Sequence, residues 1–137
     1  MARKCRVLLD TNVLLLMSKG IPIFDLIENA LNTKCKFVVI TPVLNEIQKL
    51  SKSHSMKKSR AAKFALEVIS MYCNIEKFHT LAGESVDQAL VRAAKEMKAL
   101  IATNDKELRR ILRKKGIPHV YYRESEKLFE VWGEDNC

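Results

Sequence analysis

Short aliphatic runs and longer stretches of helical periodicity take turns along the chain. The runs are Val7-Leu8-Leu9, Phe37-Val38-Val39-Ile40, Leu100-Ile101-Ala102-Thr103 and His119-Val120-Tyr121-Tyr122, with Cys73-Asn74-Ile75-Glu76-Lys77-Phe78 a weaker one. Three of them are continuously apolar, which suits strands covered on both faces of a parallel sheet. Between the runs, Ile23, Phe24, Leu26, Ile27, Ala30 and Leu31 recur at helical spacing. Thr41-Pro42 reads as an N-cap followed by proline at the first helical position, opening a helix over 43–50. A third helix is expected over 61–72. Ser85 and Gln88 match the S-x-x-Q capping box and open a fourth. A fifth is expected over 105–115, stopped by Gly116 and Pro118. This alternation predicts a three-layer α/β/α sandwich with a mostly parallel central sheet.

Composition narrows the setting. The chain has 137 residues, 47% of them hydrophobic, which suffices for one domain with its own core. A single domain over 1–133 with a frayed tail over 134–137 is expected. No apolar run is long enough to span a bilayer, and three apolar residues ahead of Asp10 are too few for a signal peptide. A cytoplasmic protein without membrane partners is expected. Cys5, Cys35, Cys73 and Cys137 form no CxxC spacing, so free thiols are expected. The four glycines form no Gly-rich loop after a strand, which argues against a dinucleotide or P-loop site.

The candidate chemistry comes from position. Ligands of open α/β sheets bind beyond the carboxyl ends of the strands. Asp10-Thr11-Asn12 follows the first run, Glu46 lies one helical turn past the second, and Thr103-Asn104-Asp105 closes the Leu100 run. Asp87 falls in the first turn of the helix before that run. Singly, each acid has a bland explanation. Asp10 and Asp105 can cap helices, Asp87 suits a helix dipole, and Glu46 can be a solvated helix residue. Together they place four carboxylates at one sheet edge, where mutual repulsion asks for a cation. Magnesium or manganese, which favour oxygen ligands, would relieve it and could act on a phosphoryl group.

Charge changes the picture next. The net charge is +8, and half of the 24 Lys and Arg fall within 49–63 and 106–115. Lys49, Lys52, Lys57, Lys58, Arg60 and Lys63 make one cluster; Lys106, Arg109, Arg110 and Arg113 lead the other. The segment SKSHSMKKSR (51–60) reads as a mobile loop at the mouth of the site. Solvated charged faces are the ordinary explanation for such runs. Two runs, each beside a candidate acid, point toward RNA phosphates. His54 reads as loop filler. Tyr121 and Tyr122 read as the two faces of one strand rather than as a stacking platform.

At this point the sequence resembles the PIN domain of metal-dependent ribonucleases, over about 5–123. VLLDTNVLL (7–15) resembles the family's opening motif, with Asp10 as first acid and Asn12 beside it. VLNEIQKL (43–50) resembles the second, with Glu46, and IATNDKELRR (101–110) the last, with Asp105 flanked by Thr103 and Asn104. GIPHVYYR (116–123) resembles the closing strand of the branch holding small archaeal PIN proteins and the eukaryotic small-subunit rRNA-processing endonuclease. The third motif departs. The branch has Asp-Asp-x-Ile or Leu, whereas here Asp87 is followed by Gln88.

The resemblance implies a metal-dependent endoribonuclease acting in rRNA processing or ribosome assembly. Asp10, Glu46, Asp87 and Asp105 would hold Mg or Mn, with Thr11, Asn12, Gln88, Thr103 and Asn104 around them. The partners it implies are RNA, a second copy of the chain, and a separate targeting or inhibitory protein. Two alternatives stay open: an RNA-binding assembly factor with a weakened site, motivated by Gln88, and a toxin-type PIN ribonuclease.

Overall fold

The continuously apolar runs become the interior strands, because only a strand with both faces covered can bury them. The structure, a computed structural model, describes residues 5–134 and Cys137. In chain order the strands are β1 (Cys5–Leu9), β2 (Cys35–Ile40), β3 (Asn74–Glu76), β4 (Leu100–Ala102), β5 (His119–Arg123) and β6 (Leu128–Trp132). The helices are α1 (Thr11–Leu15), α2 (Ile23–Leu31), α3 (Thr41–Ser51), α4 (Met56–Tyr72), α5 (Val86–Met97) and α6 (Lys106–Lys114). A 3-10 turn at Leu16–Lys19 extends α1 and ends at Gly20 with φ +81°.

The six strands form one sheet in the order β3-β2-β1-β4-β5-β6. All neighbours are parallel except β6, which runs antiparallel to β5. This is the expected α/β sandwich with its mostly parallel sheet. The chain leaves β1 toward β2 on one side and returns to β4 on the other. The order therefore reverses between β1 and β4, and the crevice at their carboxyl ends is the switch point where such sheets bind ligands. Register makes this concrete, since Leu9 pairs with Ala102 and Asp10 and Thr103 emerge side by side. Beneath them the core is aliphatic, with Leu8, Leu9, Ile40, Ile101, Leu90 and Leu108 almost wholly buried.

Four expectations need correction. The 51–60 segment is no long loop: α4 already begins at Met56, capped by the Ser55 hydroxyl, which accepts from the Lys58 amide at 3.3 Å. The Ser59 hydroxyl donates to the Ser51 carbonyl at 2.7 Å, tying α4 to the end of α3. Thr41 is the first residue of α3 rather than its cap. Its hydroxyl donates to the Phe78 carbonyl (3.1 Å) and accepts from the Phe78 amide (3.0 Å). An unanticipated strand, β6, follows a turn in which Lys127 takes φ +54°. Finally, Cys5 is not a free thiol but is joined to Cys137 by a disulfide, their Cα atoms 5.0 Å apart. The bond ties Cys137 to the first residue of β1, joining cysteines 132 positions apart in sequence. Of the expected frayed tail, residues 135 and 136 lie outside the described residues. Among the described residues no helix is long and apolar enough to cross a membrane.

A candidate metal centre at the carboxyl edge of the sheet

Asp10 is set where β1 becomes α1. Its amide donates to the Ala102 carbonyl at 3.0 Å, carrying the β1–β4 ladder one residue past the strand. Its side chain caps α1 by accepting from the Thr11 amide at 2.7 Å. The other carboxylate oxygen accepts from the Thr103 hydroxyl, also at 2.7 Å. The bland reading of Asp10 as a cap is thus correct, and incomplete. Two fixed donors, one at the start of α1 and one just past β4, lock its rotamer while each oxygen keeps a further lone pair. Asp10 is only 5% exposed. Burial pushes its pKa from 3.8 to about 6, helped by the charges of Asp87 and Glu46 and opposed by the bonds from Thr103 and Thr11.

The other acids arrive from three helices. Glu46 lies in the middle of α3 and accepts the Thr11 hydroxyl on its Oε1. Asp87 lies in the first turn of α5 and is half-buried. Burial raises its pKa, and the charges of Asp105 and Glu46 add to the rise. Asp105 caps α6, accepting from the Leu108 amide at 3.0 Å, while its own amide donates to the Thr103 hydroxyl at 3.1 Å. All four acids therefore share one electrostatic neighbourhood.

The third motif resolves by geometry. The Gln88 amide oxygen accepts from the Ser85 amide at 2.9 Å, and the Ser85 hydroxyl accepts from the Gln88 amide at 3.1 Å. Gln88 is exposed and committed to this capping box, so it does not stand among the acids as expected. Asp87 does. The loop ahead of it is pinned by Arg92, which bonds Glu84 at 2.9 Å and the His79 carbonyl at 2.6 Å. The same guanidinium covers the Phe78 ring at 4.2 Å, and Phe78 is the residue that Thr41 grips.

Asn12 and Asn104 brace rather than face the centre. Asn12 Oδ1 accepts from the Asn104 amide at 3.2 Å, and Asn104 Oδ1 accepts from the Tyr122 amide at 2.8 Å. With the Thr103 amide donating to the Val120 carbonyl at 3.1 Å, they extend the sheet's bonding beyond the end of β4. Thr103, wholly buried, is the hub: it donates to Asp10 and accepts from the backbone of Asp105.

The basic residues divide into two kinds. Lys49, Lys52, Lys57, Lys58, Arg60 and Lys63 are exposed on α3 and α4 or between them, and none has an ion-pair partner among the described residues. Lys106 and Arg113 are likewise exposed on α6, while Arg110 pairs with Glu107. Arg109 is not the free cation expected from sequence. It is half-buried, with its Cζ 3.6 Å above the Tyr121 ring and its Nε buried without a partner. The alternation of 119–122 was the available signal, because it sends Tyr121 to the face opposite Tyr122.

Chemically, the edge presents only oxygen donors, which suit a hard divalent cation and not a soft one. Burial first, and repulsion among the acids second, raise the pKa values of Asp10 and Asp87, and an added positive charge would offset both. Among the described residues no group of three His, Cys, Asp or Glu already stands in ion-gripping geometry. The acids converge without forming a closed cage.

Comparison with known proteins bears on the family and the fold. A family profile described as "PIN like domain" matches residues 7–125. Ribonuclease VapC4 of Methanocaldococcus jannaschii is 36% identical over 132 residues, covering 93% of this chain and 97% of its own length. Ribonuclease VapC9 of Archaeoglobus fulgidus is 33% identical over 129 residues, covering 92% and 88%. Among solved structures, the PIN domain endonuclease Utp24 superposes with a TM-score of 0.76 at 23% identity, over 96% of this chain and 94% of its own. A chain of VapBC2 from Rickettsia felis, solved bound to a promoter DNA fragment, gives 0.55 at 20% identity, over 77% and 92%. At these identities the two structures speak for the fold alone.

Proposed function

Because the chain belongs to the PIN-like domain family, we propose that it is a metal-dependent endoribonuclease that hydrolyses RNA phosphodiesters. One observation carries the proposal. Asp10 is buried at the β1–β4 switch point, fixed by the Thr103 hydroxyl at 2.7 Å, with the charges of Glu46 and Asp87 acting on it. Asp10 and Asp105 each cap a helix, but capping alone does not account for Glu46 and Asp87 beside them. The two archaeal relatives, ribonucleases by name and alike over nearly their whole length, support the reading.

Asp10, Glu46, Asp87 and Asp105 would hold magnesium or manganese. When bound, the cation supplies a positive charge for a phosphoryl oxygen and lowers the pKa of an attacking water. The chain's own part is positional. Thr103 fixes the Asp10 carboxylate and the Asp105 backbone at once, and Thr11 fixes Glu46. Asn12 and Asn104 keep the two strand ends in register. Lys49, Lys52, Lys57, Lys58, Arg60 and Lys63 offer unneutralised charge to phosphates, which gives affinity without sequence reading.

For the biological role, a part in rRNA processing rests on the resemblance of the closing segment GIPHVYYR (116–123), which forms β5 at 119–123; the Utp24 likeness bears on the fold alone. A second role, as a toxin-type ribonuclease held by an antitoxin protein, is supported by the VapC relatives. Against the weakened-site alternative stands Asp87, on which the charges of Asp105 and Glu46 act, while Gln88 serves a helix cap.

The test is a cleavage time course on a structured rRNA fragment and on tRNA. Manganese, magnesium and EDTA are compared for the wild type and Asp10→Asn. Metal-dependent products that vanish in the variant are expected. Products that persist in EDTA, or in Asp10→Asn, would overturn the proposal. A preference for the rRNA fragment favours processing. Co-purification of a small inhibitory protein from the native source favours the toxin role.

A further inference from the structure

The face of the β5–β6 hairpin turned toward α6 carries a row of rings that the acid centre does not use. Antiparallel pairing sets His119 opposite Trp132 and Tyr121 opposite Glu130. Trp132 stacks on His119 with ring centroids 5.3 Å apart and planes at 23°. His119 lies 6.2 Å from Tyr121, and Tyr121 is covered by the Arg109 guanidinium at 3.6 Å. His119 itself is wholly buried, with Nδ1 3.0 Å from the Ile117 carbonyl and Nε2 without a partner. Burial, with Arg109 and Arg113 nearby, lowers its pKa, so the middle of the row is a neutral ring. Trp132, at the end of the row, is only half-buried.

The charge around the row is positive. Arg113 is exposed and acts on both Arg109 and His119. Arg123 is also exposed, 3.2 Å from Glu130, whose carboxylate further accepts the Tyr121 hydroxyl at 2.7 Å. Glu130, the acid opposite Tyr121, is thus spent on two partners. The row also joins the acid centre. Ala102 pairs with Val120, so Tyr121 stands level with Thr103, and the rings run from there along the hairpin to Trp132. Rings that only glued an edge strand to the sheet would not need the guanidinium groups of Arg109 and Arg113, which have no ion pair among the described residues, beside them. Rings flanked by arginines match a nucleobase stacked between phosphates.

The geometry points to a track for single-stranded RNA along α6 and the β5–β6 hairpin, with a base on Trp132 and neighbouring phosphates on Arg113 and Arg123. This rests on the ribonuclease reading and specifies how a flanking part of the substrate is held. Stacking of this kind tolerates any base, so the track adds affinity and directs the strand without selecting sequence.

Trp132 is the one tryptophan of the chain, so its emission reports on this face alone. The Asp10→Asn protein, with magnesium present, is titrated with a single-stranded oligoribonucleotide. Indole fluorescence is followed beside the anisotropy of the 5′-labelled RNA. Saturable change of the Trp132 emission is expected, with the midpoint of the anisotropy curve. Trp132→Leu should weaken RNA binding roughly tenfold, and Arg113→Ala by a smaller factor, with the melting temperature recorded for each. Should Trp132→Leu fail to fold, the titration of the protein with its tryptophan in place decides. Full RNA binding with an unchanged indole signal would overturn the track and leave the ribonuclease reading standing. No RNA binding by either signal would overturn both.

Discussion

The carboxyl edge of the sheet and the α3–α4 hairpin both hold like charges close together, yet they behave differently. On α4, Lys57, Lys58, Arg60 and Lys63 lie exposed and without ion-pair partners among the described residues. Water screens them, so the crowding costs little. At the sheet edge, Asp10 is buried, and burial with its neighbours carries its pKa to about 6. The shift of about 2 units corresponds to roughly 3 kcal/mol of disfavoured charge. Like charge on a surface is compatible with a diffuse ligand such as a phosphate chain. Like charge in a crevice asks for a point charge placed among the acids.

The sharpest break of this contrast is Asp10→Asn. It removes a proposed cation ligand while an amide fills the same space. Cleavage should fall by more than a hundredfold, beyond the 10- to 100-fold typical of losing a supporting group. The melting temperature of the metal-free protein should hold or rise, because a disfavoured buried charge is gone. A variant that melts lower and still cuts would refute the contrast.

Thr103→Val comes next. It keeps the shape of the hub but removes the donor to Asp10 and the acceptor for the Asp105 amide. Activity should drop about 10- to 100-fold, with manganese affinity falling in parallel when followed by calorimetry.

The third prediction concerns pH. The folded metal-free protein binds a proton at Asp10 more readily than the unfolded chain does, since the folded pKa is the higher one. Metal-free stability should therefore rise as pH falls from about 7 through 6 toward 4, by up to roughly 3 kcal/mol from this group. Below the unfolded value of 3.8 the group adds nothing more. Saturating manganese should flatten that dependence near neutral pH. Urea titrations at several pH values, with EDTA and with manganese, check both statements.

The smallest effects belong to the surface. Lys57→Ala and Lys63→Ala should each leave single-turnover cleavage of bound RNA unchanged. Each should lower the slope of log affinity against log salt by about 1 or less. A large loss of turnover from either would mean that α4 takes part in the chemistry.

Much of the edge was legible because its signals are local. An apolar run ending in Asp10-Thr11-Asn12 fixes where β1 stops, and Asp105 before Lys106–Lys114 announces both a cap and an acid. Other features depend on partners far along the chain. Thr41 looks like a cap until Phe78 arrives to take its hydroxyl. The first turn of α4 shows no apolar periodicity, because it packs through the small Ser59 and Ala62. β6 alternates Phe129 inward against Glu130 and lies at the sheet edge, so it lacks the continuous apolar run of the inner strands. Gln88 is the instructive residue. The capping box and a place beside the acids were both readable from sequence, but one side chain cannot serve both, and the bond to the Ser85 amide decides.

The central claim is that Asp87, and not Gln88, joins Asp10, Glu46 and Asp105 in one cation site. The most direct measurement is calorimetric titration of manganese into the wild type, Asp87→Asn and Gln88→Ala under one buffer. The account predicts wild-type affinity for Gln88→Ala, whose deficit is a helix cap worth about 1 kcal/mol of stability. For Asp87→Asn it predicts at least about tenfold weaker binding. Equal affinity in Asp87→Asn, or loss of binding in a folded Gln88→Ala, would contradict it.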